Sequence, residues 1–386
     1  MVGQSAPLPA TVSDPINSAI LAVSEDRLSG FQIDPFGEIA ARAGIDAQTV
    51  IDRVRAMLAA GTIRRVRQTL LATNLAAGAL CAWEVLPARL DLAFDFMFRV
   101  DPFSGHVVIR TADAATAGSS YRLWTTLKVP QGFSLRKHAQ WLAAQVGADR
   151  FRLMPAKMLF ALGVGHVRRR GLPPGARAAE PARPLPAGIV ELSTLEWRAL
   201  TALKREFRSE ELVRDLWRAR AAEAGLDLDR FVAIARTLQE RGVIGRFSTF
   251  LEHVKPTAGN ERVTRYNALF HWAVPPGMEV AAGCEVGRHY AITHAYWREG
   301  GPEFRDVNIM AVAHGMEKNR VLEHKAAIDD HLREAGIGFS YTNVFWGGRS
   351  EIKPSEIAPD AYLAFCEAHG IDSDTMRAHG EEGASA

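Results

Sequence analysis

His106 and Arg110 stand four residues apart in the run Gly105-His106-Val107-Val108-Ile109-Arg110. His294 and Arg298 repeat the spacing in Thr293-His294-Ala295-Tyr296-Trp297-Arg298. On a strand, residues i and i+4 share a face, so each histidine points the same way as its arginine, with Val108 or Tyr296 between them. Histidine changes charge near neutral pH and can hand over a proton, while the guanidinium fork binds a carboxylate through two hydrogen bonds. A strand carrying both can hold an acidic group and deliver a proton beside it. A lone strand histidine is more often a structural or surface residue. The matched repetition in two parts of the chain argues against that reading for His106 and His294. His314 lies near the end of the strand expected beside His294, where it can approach that ring.

The elements that must position these residues also occur twice. Leu58-Ala-Ala-Gly-Thr-Ile-Arg-Arg65 is answered by Leu238-Gln-Glu-Arg-Gly-Val-Ile-Gly-Arg246, and Ala82-Trp83-Glu84-Val85-Leu86-Pro87 by His271-Trp272-Ala273-Val274-Pro275. Such self-similarity marks a duplicated unit. Each copy opens with helical periodicity, over 15–28, 36–43 and 46–60 in the first and 195–207, 211–224 and 228–241 in the second. An alternating run follows each set, from Gly61 and from Val243, and reads as a two-stranded wing, giving a winged helix-turn-helix. The pattern then changes to strands at about 79–86, 106–111, 121–129 and 152–163, with helices at about 89–98 and 134–146. In the second copy the strands fall at about 266–274, 291–298, 306–313 and 338–346. This is the split β-α-β arrangement, which leaves one sheet face open. The expectation is an α+β fold, a tandem duplication of winged helix-turn-helix plus ferredoxin-like (βαββαβ) domain, with the two open faces covering each other as an internal pseudodimer.

The boundaries that follow are 1–72 and 194–255 for the winged helices, 73–165 and 256–350 for the ferredoxin-like domains, and 351–386 for a C-terminal extension without a role. Between the copies, 166–193 carries five prolines from Pro173 to Pro186 and reads as a solvated, semi-extended tether. The whole chain has 386 residues and 46 Lys+Arg against 44 Asp+Glu, a net +2, which excludes coating a nucleic acid or anionic membrane by charge alone. No apolar run approaches the roughly 20 residues of a membrane span, and the start lacks the order of a signal peptide. Three scattered cysteines, Cys81, Cys284 and Cys366, suggest neither a disulfide framework nor a zinc site, so a cytoplasmic location is expected. The remaining histidines match no compact metal motif, and no phosphate loop, nucleophile triad or dinucleotide fingerprint stands out.

Winged helix plus ferredoxin-like domain is the plan of the Lrp/AsnC-like superfamily, which the chain resembles over about 15–165 and 195–346. Within it, His106 to Arg110 followed by Tyr121-Arg122-Leu123-Trp124-Thr125-Thr126-Leu127 resembles one subunit of the siroheme decarboxylases, whose pattern is His-Asn-Tyr-Glu-Arg then Tyr-Asn-Leu-Trp-Phe-Thr-Leu. His294 to Arg298 followed by Asn308 to His314-Gly315 resembles the partner subunit, with His-Cys-Tyr-Arg-Arg and Tyr-Asn-Leu-Tyr-Thr-Met-Ile-His-Gly. Val108, Arg122 and Val307 depart from those patterns. The resemblance implies a fused two-subunit carboxy-lyase that removes CO2 from acetate side chains of siroheme, in heme d1 or alternative heme biosynthesis, with no cofactor beyond the iron tetrapyrrole. It implies His106, His294 and His314 as catalytic residues, and Arg64, Arg65, Arg110, Trp124, Arg246, Tyr296 and Arg298 as substrate-binding ones. His106 or His294 is a candidate axial ligand of the tetrapyrrole iron.

Two other classes fit the same sequence. A DNA-binding regulator would use Arg53 and Arg55 on the helix at 46–60, with Arg64, Arg65 and Arg67 of the wing, against phosphates. The second copy mixes Arg230, Arg236 and Arg241 with Asp227, Asp229 and Glu240, and two dissimilar readers suit a palindrome poorly, so DNA is not expected as a partner. A tetrapyrrole carrier or sensor would bind without catalysis. A homodimer of the fused chain stays open.

Overall fold

Asp14, Asp34 and Asp46 each precede a helix, and each carboxylate accepts hydrogen bonds from the backbone of the first turn. Such caps contribute about 1 kcal/mol apiece. In the computed structural model, which describes residues 7–163, 165–167, 169, 171–252, 256–257, 260 and 262–378, the helices they start are α1 (Pro15–Ser24), α2 (Pro35–Ala43) and α3 (Ala47–Ala59). Strand β1 (Leu28–Ser29) lies between the first two, and β2 (Ile63–Leu70) follows the third. Next come β3 (Ala77–Val85), α4 (Leu90–Arg99), β4 (Ser104–Thr111), β5 (Tyr121–Val129), α5 (Leu135–Val146), β6 (Ala148–Pro155) and β7 (Met158–Leu162), then β8 (Leu185–Pro186). The second copy supplies α6 (Thr194–Lys204), α7 (Leu216–Glu223), α8 (Leu228–Glu240) and β9 (Ile244–Leu251). It continues with β10 (Tyr266–Ala273), α9 (Glu279–Gly287), β11 (Ile292–Trp297), β12 (Ile309–Gly315), α10 (Lys318–Glu334) and β13 (Tyr341–Ile352). Helix α11 (Pro359–Ala368) ends the run. Positions 253–255, at the end of the expected second winged helix, and 379–386, in the expected extension, lie outside the described residues.

The chain divides into two units, each drawn from both copies. The first joins Met1–Leu71, Gly163–Gly171 and Val190–Thr264. Its sheet has the order β1-β9-β2, so among the described residues the expected local two-stranded wings do not form. Instead β2 pairs antiparallel with β9 of the other copy, Val66 opposite Thr249 and Gln68 opposite Phe247. The reason is local: β2 ends in a short 3-10 turn at Ala72–Asn74 rather than a hairpin turn, so its ladder partner must come from elsewhere.

The second unit joins Ala72–Leu162, Leu172–Ile189 and Arg265–Ala386 around a ten-stranded sheet of order β6-β3-β5-β4-β13-β10-β12-β11-β7-β8. Each copy contributes a four-strand ferredoxin-like array, and the last strand of each crosses to the open edge of the other. Residues 341–347 of β13 pair with β10, and residues 346–352 of the same strand pair with β4 across a register shift at Gly347/Ser350. In the first copy the expected strand at 152–163 is broken in two. Pro155 lacks an N–H, and after Ala156 and Lys157 the chain resumes as β7, which pairs with β11. Strands β6 and β7 stand near opposite ends of the strand order yet are only two residues apart in the chain, so the sheet must curl back on itself.

Helices cover the outer surface. Trp83, Phe94, Met97, Phe103 and Leu142 fill one outer core, and Phe270, Trp272, Ile309, Ile328 and Leu332 the other. Tyr362 and Phe365 of α11 join the first, which gives the C-terminal stretch a structural role that the sequence did not suggest. The inner faces of the two arrays meet through Val108, Trp124, Met154, Leu269, Phe304, Met310 and Phe345. The Trp124 ring lies 5.5 Å from both Phe304 and Phe345.

The segment 172–189, expected to be a solvated tether, is instead fastened along α9. Ala178 and Ala182 donate to Arg288 and Cys284 carbonyls, both at 3.0 Å, and Arg288 donates to the carbonyls of Ala178 and Ala179. An extended proline-rich segment leaves its carbonyls unpaired, and Arg288 collects them. Among the described residues no helix is long and apolar enough to cross a membrane, and the three cysteines are free.

Candidate functional site

Strand alternation sends Val107 and Ile109 of β4 into the outer core and turns His106, Val108 and Arg110 inward. On β11, Ile292 and Ala295 pack outward, and His294 and Tyr296 take the inner face opposite Val312 and Met310 of β12. His314, at the end of β12, stands opposite Asn267 of β10. The sheet thereby gathers the histidines and arginines predicted from both copies, apart from the wing arginines, onto one interior.

A continuous set of hydrogen bonds runs across that interior. Arg110 Nη1 donates to Asn267 Oδ1 at 3.2 Å, and Asn267 Nδ2 lies 3.1 Å from His314 Nε2. His314 Nδ1 is 3.3 Å from Thr293 Oγ1, which is 3.0 Å from His294 Nδ1. The directions can be deduced. Arginine only donates, so it fixes the Asn267 oxygen toward itself and leaves the amide N–H to donate to His314 Nε2. The Thr293 hydroxyl donates to the Val312 carbonyl at 3.0 Å, so its oxygen accepts from both imidazole Nδ1–H groups. In this arrangement the His314 proton lies on Nδ1, and Nε2 accepts from the Asn267 amide. Sequence reasoning missed Asn267 and Thr293; a single amide inside the otherwise apolar, aromatic run of β10 was the available signal.

Arg110 is 4% exposed and Arg298 8% exposed, and among the described residues neither has a carboxylate partner. Arg110 reaches only Asn267 and, at 3.4 Å, the Phe345 carbonyl. Arg298 donates to the Met154 carbonyl at 2.5 Å and sits 4.4 Å over the Tyr296 ring. Burial pushes the Arg110 guanidinium down to about 10 and lowers Arg298 as well. A buried cation without an anion is costly unless a ligand supplies one. His106 Nε2 is 2.8 Å from Ser350 Oγ on β13. Trp124 is fully buried, its indole N–H donating to the Tyr121 carbonyl at 2.6 Å, so it forms the packed floor of the interior.

His271, on the inner face of β10 beside Leu269, was not singled out from sequence. It is 1% exposed, its ring 5.2 Å from Phe345, and its Nε2 has no hydrogen-bond partner among the described residues. Burial, with Arg110 and Lys325 nearby, pushes it down to about 3, so it is neutral and cannot donate a proton at neutral pH.

Arg64, Arg65 and Arg246 lie in the first unit, on β2 and β9. Arg65 pairs with Glu206 at 3.3 Å, Arg246 donates to the Glu25 carbonyl at 3.2 Å, and burial pushes Arg64 down to about 10. Of the arginines that a DNA-binding regulator would use, Arg230 and Arg236 of α8 are exposed, and the two on α3 have partners within the chain. Arg53 is 9% exposed and bonded to Asp14 and the Pro9 carbonyl, each at 3.3 Å, and Arg55 reaches the Ser209 carbonyl and Asp52. They point inward because α3 is covered by the N-terminal segment and the 3-10 turn at Ser209–Glu211. Among the described residues no group of three or more His, Cys, Asp or Glu could hold a metal ion.

Fold and interior together define a duplicated ferredoxin-like protein whose curled sheet encloses two buried arginines without a carboxylate partner among the described residues. No family model matches the chain. Individual proteins do. The siroheme decarboxylase alpha subunit of Desulfovibrio desulfuricans is 30% identical over 139 residues, 35% of this chain and 75% of that subunit. The beta subunit of Oleidesulfovibrio alaskensis is 29% identical over 117 residues, 30% of this chain and 68% of the subunit. The NirH subunit of Stutzerimonas stutzeri is 28% identical over 120 residues, 30% of this chain and 66% of the subunit. The chain belongs to the siroheme decarboxylase family, in a form that fuses two subunit-like halves. Its fold is that of the crystal structure of the siroheme decarboxylase NirDL, with a TM-score of 0.63 at 18% identity, over 92% of this chain and 99% of that one. The NirDL structure in complex with an iron-uroporphyrin III analogue gives 0.61 over the same shares.

Proposed function

We propose that this chain is a carboxy-lyase that removes CO2 from acetate side chains of siroheme or a closely related iron tetrapyrrole. The observation that carries the proposal is the pair of buried arginines, Arg110 and Arg298, facing one interior without a carboxylate of their own. They bind substrate carboxylates as forked donors. The acetate carbon–carboxyl bond breaks, CO2 leaves, and the electron pair passes into the macrocycle or directly onto a proton. His294 Nε2 delivers that proton to the carbon, which becomes a methyl group, and solvent restores the imidazolium. The step is redox-neutral and needs no cofactor beyond the iron tetrapyrrole itself.

His314, bonded to Asn267, orients His294 through Thr293. His106 is the second proton donor or an axial ligand of the substrate iron. Tyr296 covers the macrocycle and Trp124 supports it from below. The two halves act as an internal pseudodimer, and the location is cytoplasmic. His294→Ala should retain tetrapyrrole binding while turnover falls about 10²–10⁴-fold, the range for a lost general acid. Arg298→Ala should weaken binding as well. Turnover within about twofold of the parent in both His106→Ala and His294→Ala would remove the proton-transfer role.

A further inference from the structure

The duplication gives the interior two comparable ends, and strand register identifies their counterparts. His106 pairs with Thr126, two residues before Lys128, and His294 pairs with Val312, two residues before His314. Lys128 in turn stands opposite Gly78, as His314 stands opposite Asn267. Lys128 and Gly78 therefore replace the His314–Asn267 pair of the other end. The exchange is mutual: a Cβ on Gly78 would lie 3.1 Å from Lys128 Cγ and 3.2 Å from Nζ, so the bare glycine lets the lysine lie across it. The amine is half-buried and among the described residues has no hydrogen bond or ion pair.

Near Lys128 are Arg298, which follows β11 and donates to the Met154 carbonyl beside Leu80, and, along β4, His106, while β3 presents Gly78 and the apolar Leu80. Burial and the nearby Arg298 push the amine down to about 8. Two cations without an anion at one buried place repel each other, and only a bound anion turns that cost into attraction.

We propose that Lys128 and Arg298 form a carboxylate-anchoring subsite, which holds a side-chain carboxylate of the tetrapyrrole that does not react at that end. The proposal rests on the decarboxylase reading and divides labour between the ends. The end built from Arg110, Asn267, His314, Thr293 and His294 carries one fixed cation and two linked histidines. The Lys128–Arg298 end carries two cations and grips.

Anaerobic absorbance titration with siroheme tests this across pH 7.5–9.5, on the parent and on Lys128→Gln and Lys128→Arg. A charged hydrogen bond lost at such a place should raise the Kd about ten- to a hundredfold in Lys128→Gln. Parent affinity should fall as pH rises through about 8, because the neutral amine no longer attracts a carboxylate. Lys128→Arg should keep the affinity and lose that pH dependence, which separates Lys128 from every other titrating group. In Lys128→Gln the KM should rise together with the Kd, because the lost contact is one made in the bound ground state. Parent-like binding by Lys128→Gln overturns the proposal while leaving decarboxylation untouched. A collapsed kcat with intact binding overturns it in favour of proton donation. Lost affinity in Lys128→Gln, with a parent that binds siroheme but never changes its mass, upholds the subsite and removes the decarboxylase reading instead.

Discussion

Replacing His271 by phenylalanine should change the acid limb of stability by an amount that can be calculated. In the folded chain burial holds the His271 imidazole at about 3, whereas in the unfolded chain it titrates near the ordinary value of about 6.5. Below pH 6.5 the unfolded state therefore binds a proton that the folded state refuses, and stability falls as pH falls, until the folded pKa is reached. Between pH 7.5 and 5.5 one such group removes about 1.4 kcal/mol. His289, also held at about 3, contributes its own slope with the same sign. The buried Glu25 carboxyl of the first unit, pushed up to about 8, contributes the opposite slope between about 4.5 and 8. Both remain in His271→Phe, so the difference between parent and variant isolates His271. Urea unfolding at the two pH values, followed by tryptophan fluorescence, should show the variant losing about 1.4 kcal/mol less than the parent. At pH 7.5 the variant also sheds an unpaired Nε2, a gain of about 1–3 kcal/mol that the larger ring partly offsets. Equal acid losses in parent and variant would refute the claim that this imidazole is buried and neutral.

Asp329 accepts from Lys325, at 2.5 and 2.7 Å, and from the Trp272 indole at 2.6 Å. Asp329→Ala leaves the 5%-exposed Lys325 unpaired and should cost about 3–5 kcal/mol in denaturant unfolding. Arg110→Met should free the Asn267 amide to rotate, so ¹⁵N NMR should find His314 no longer confined to the Nδ1–H tautomer that the parent shows. A parent His314 protonated at Nε2 would contradict the hydrogen-bond directions deduced above.

Much of this architecture is legible in the sequence because its elements are periodic and doubled. The helices α2, α3 and α8 and the strands β4, β5 and β10 fall close to their expected limits, whereas α1, expected to reach Leu28, ends at Ser24 and Leu28 enters β1. Pairing across the copies is not legible. Alternation says that 63–70 is a strand but not that its partner is β9, and nothing local announces that β13 will leave β10 for β4. Pro155 was a visible break that the reading of 152–163 as one strand overran. The inward direction of His106, Arg110, His294 and Arg298 follows from spacing alone. Thr293, Asn267 and Lys128 escape it, because a threonine, an amide or a lysine in a strand gains meaning only from its cross-strand partner.

Decarboxylation by this single chain must change the mass of the tetrapyrrole it binds. Purified protein incubated anaerobically with siroheme, followed by mass analysis of the extracted macrocycle, measures it directly. Successive losses of CO2, suppressed in His294→Ala, are the predicted result. Tight binding with unchanged mass would contradict it in favour of a carrier, and salt-dependent retention of duplex DNA without tetrapyrrole binding would contradict it in favour of a regulator.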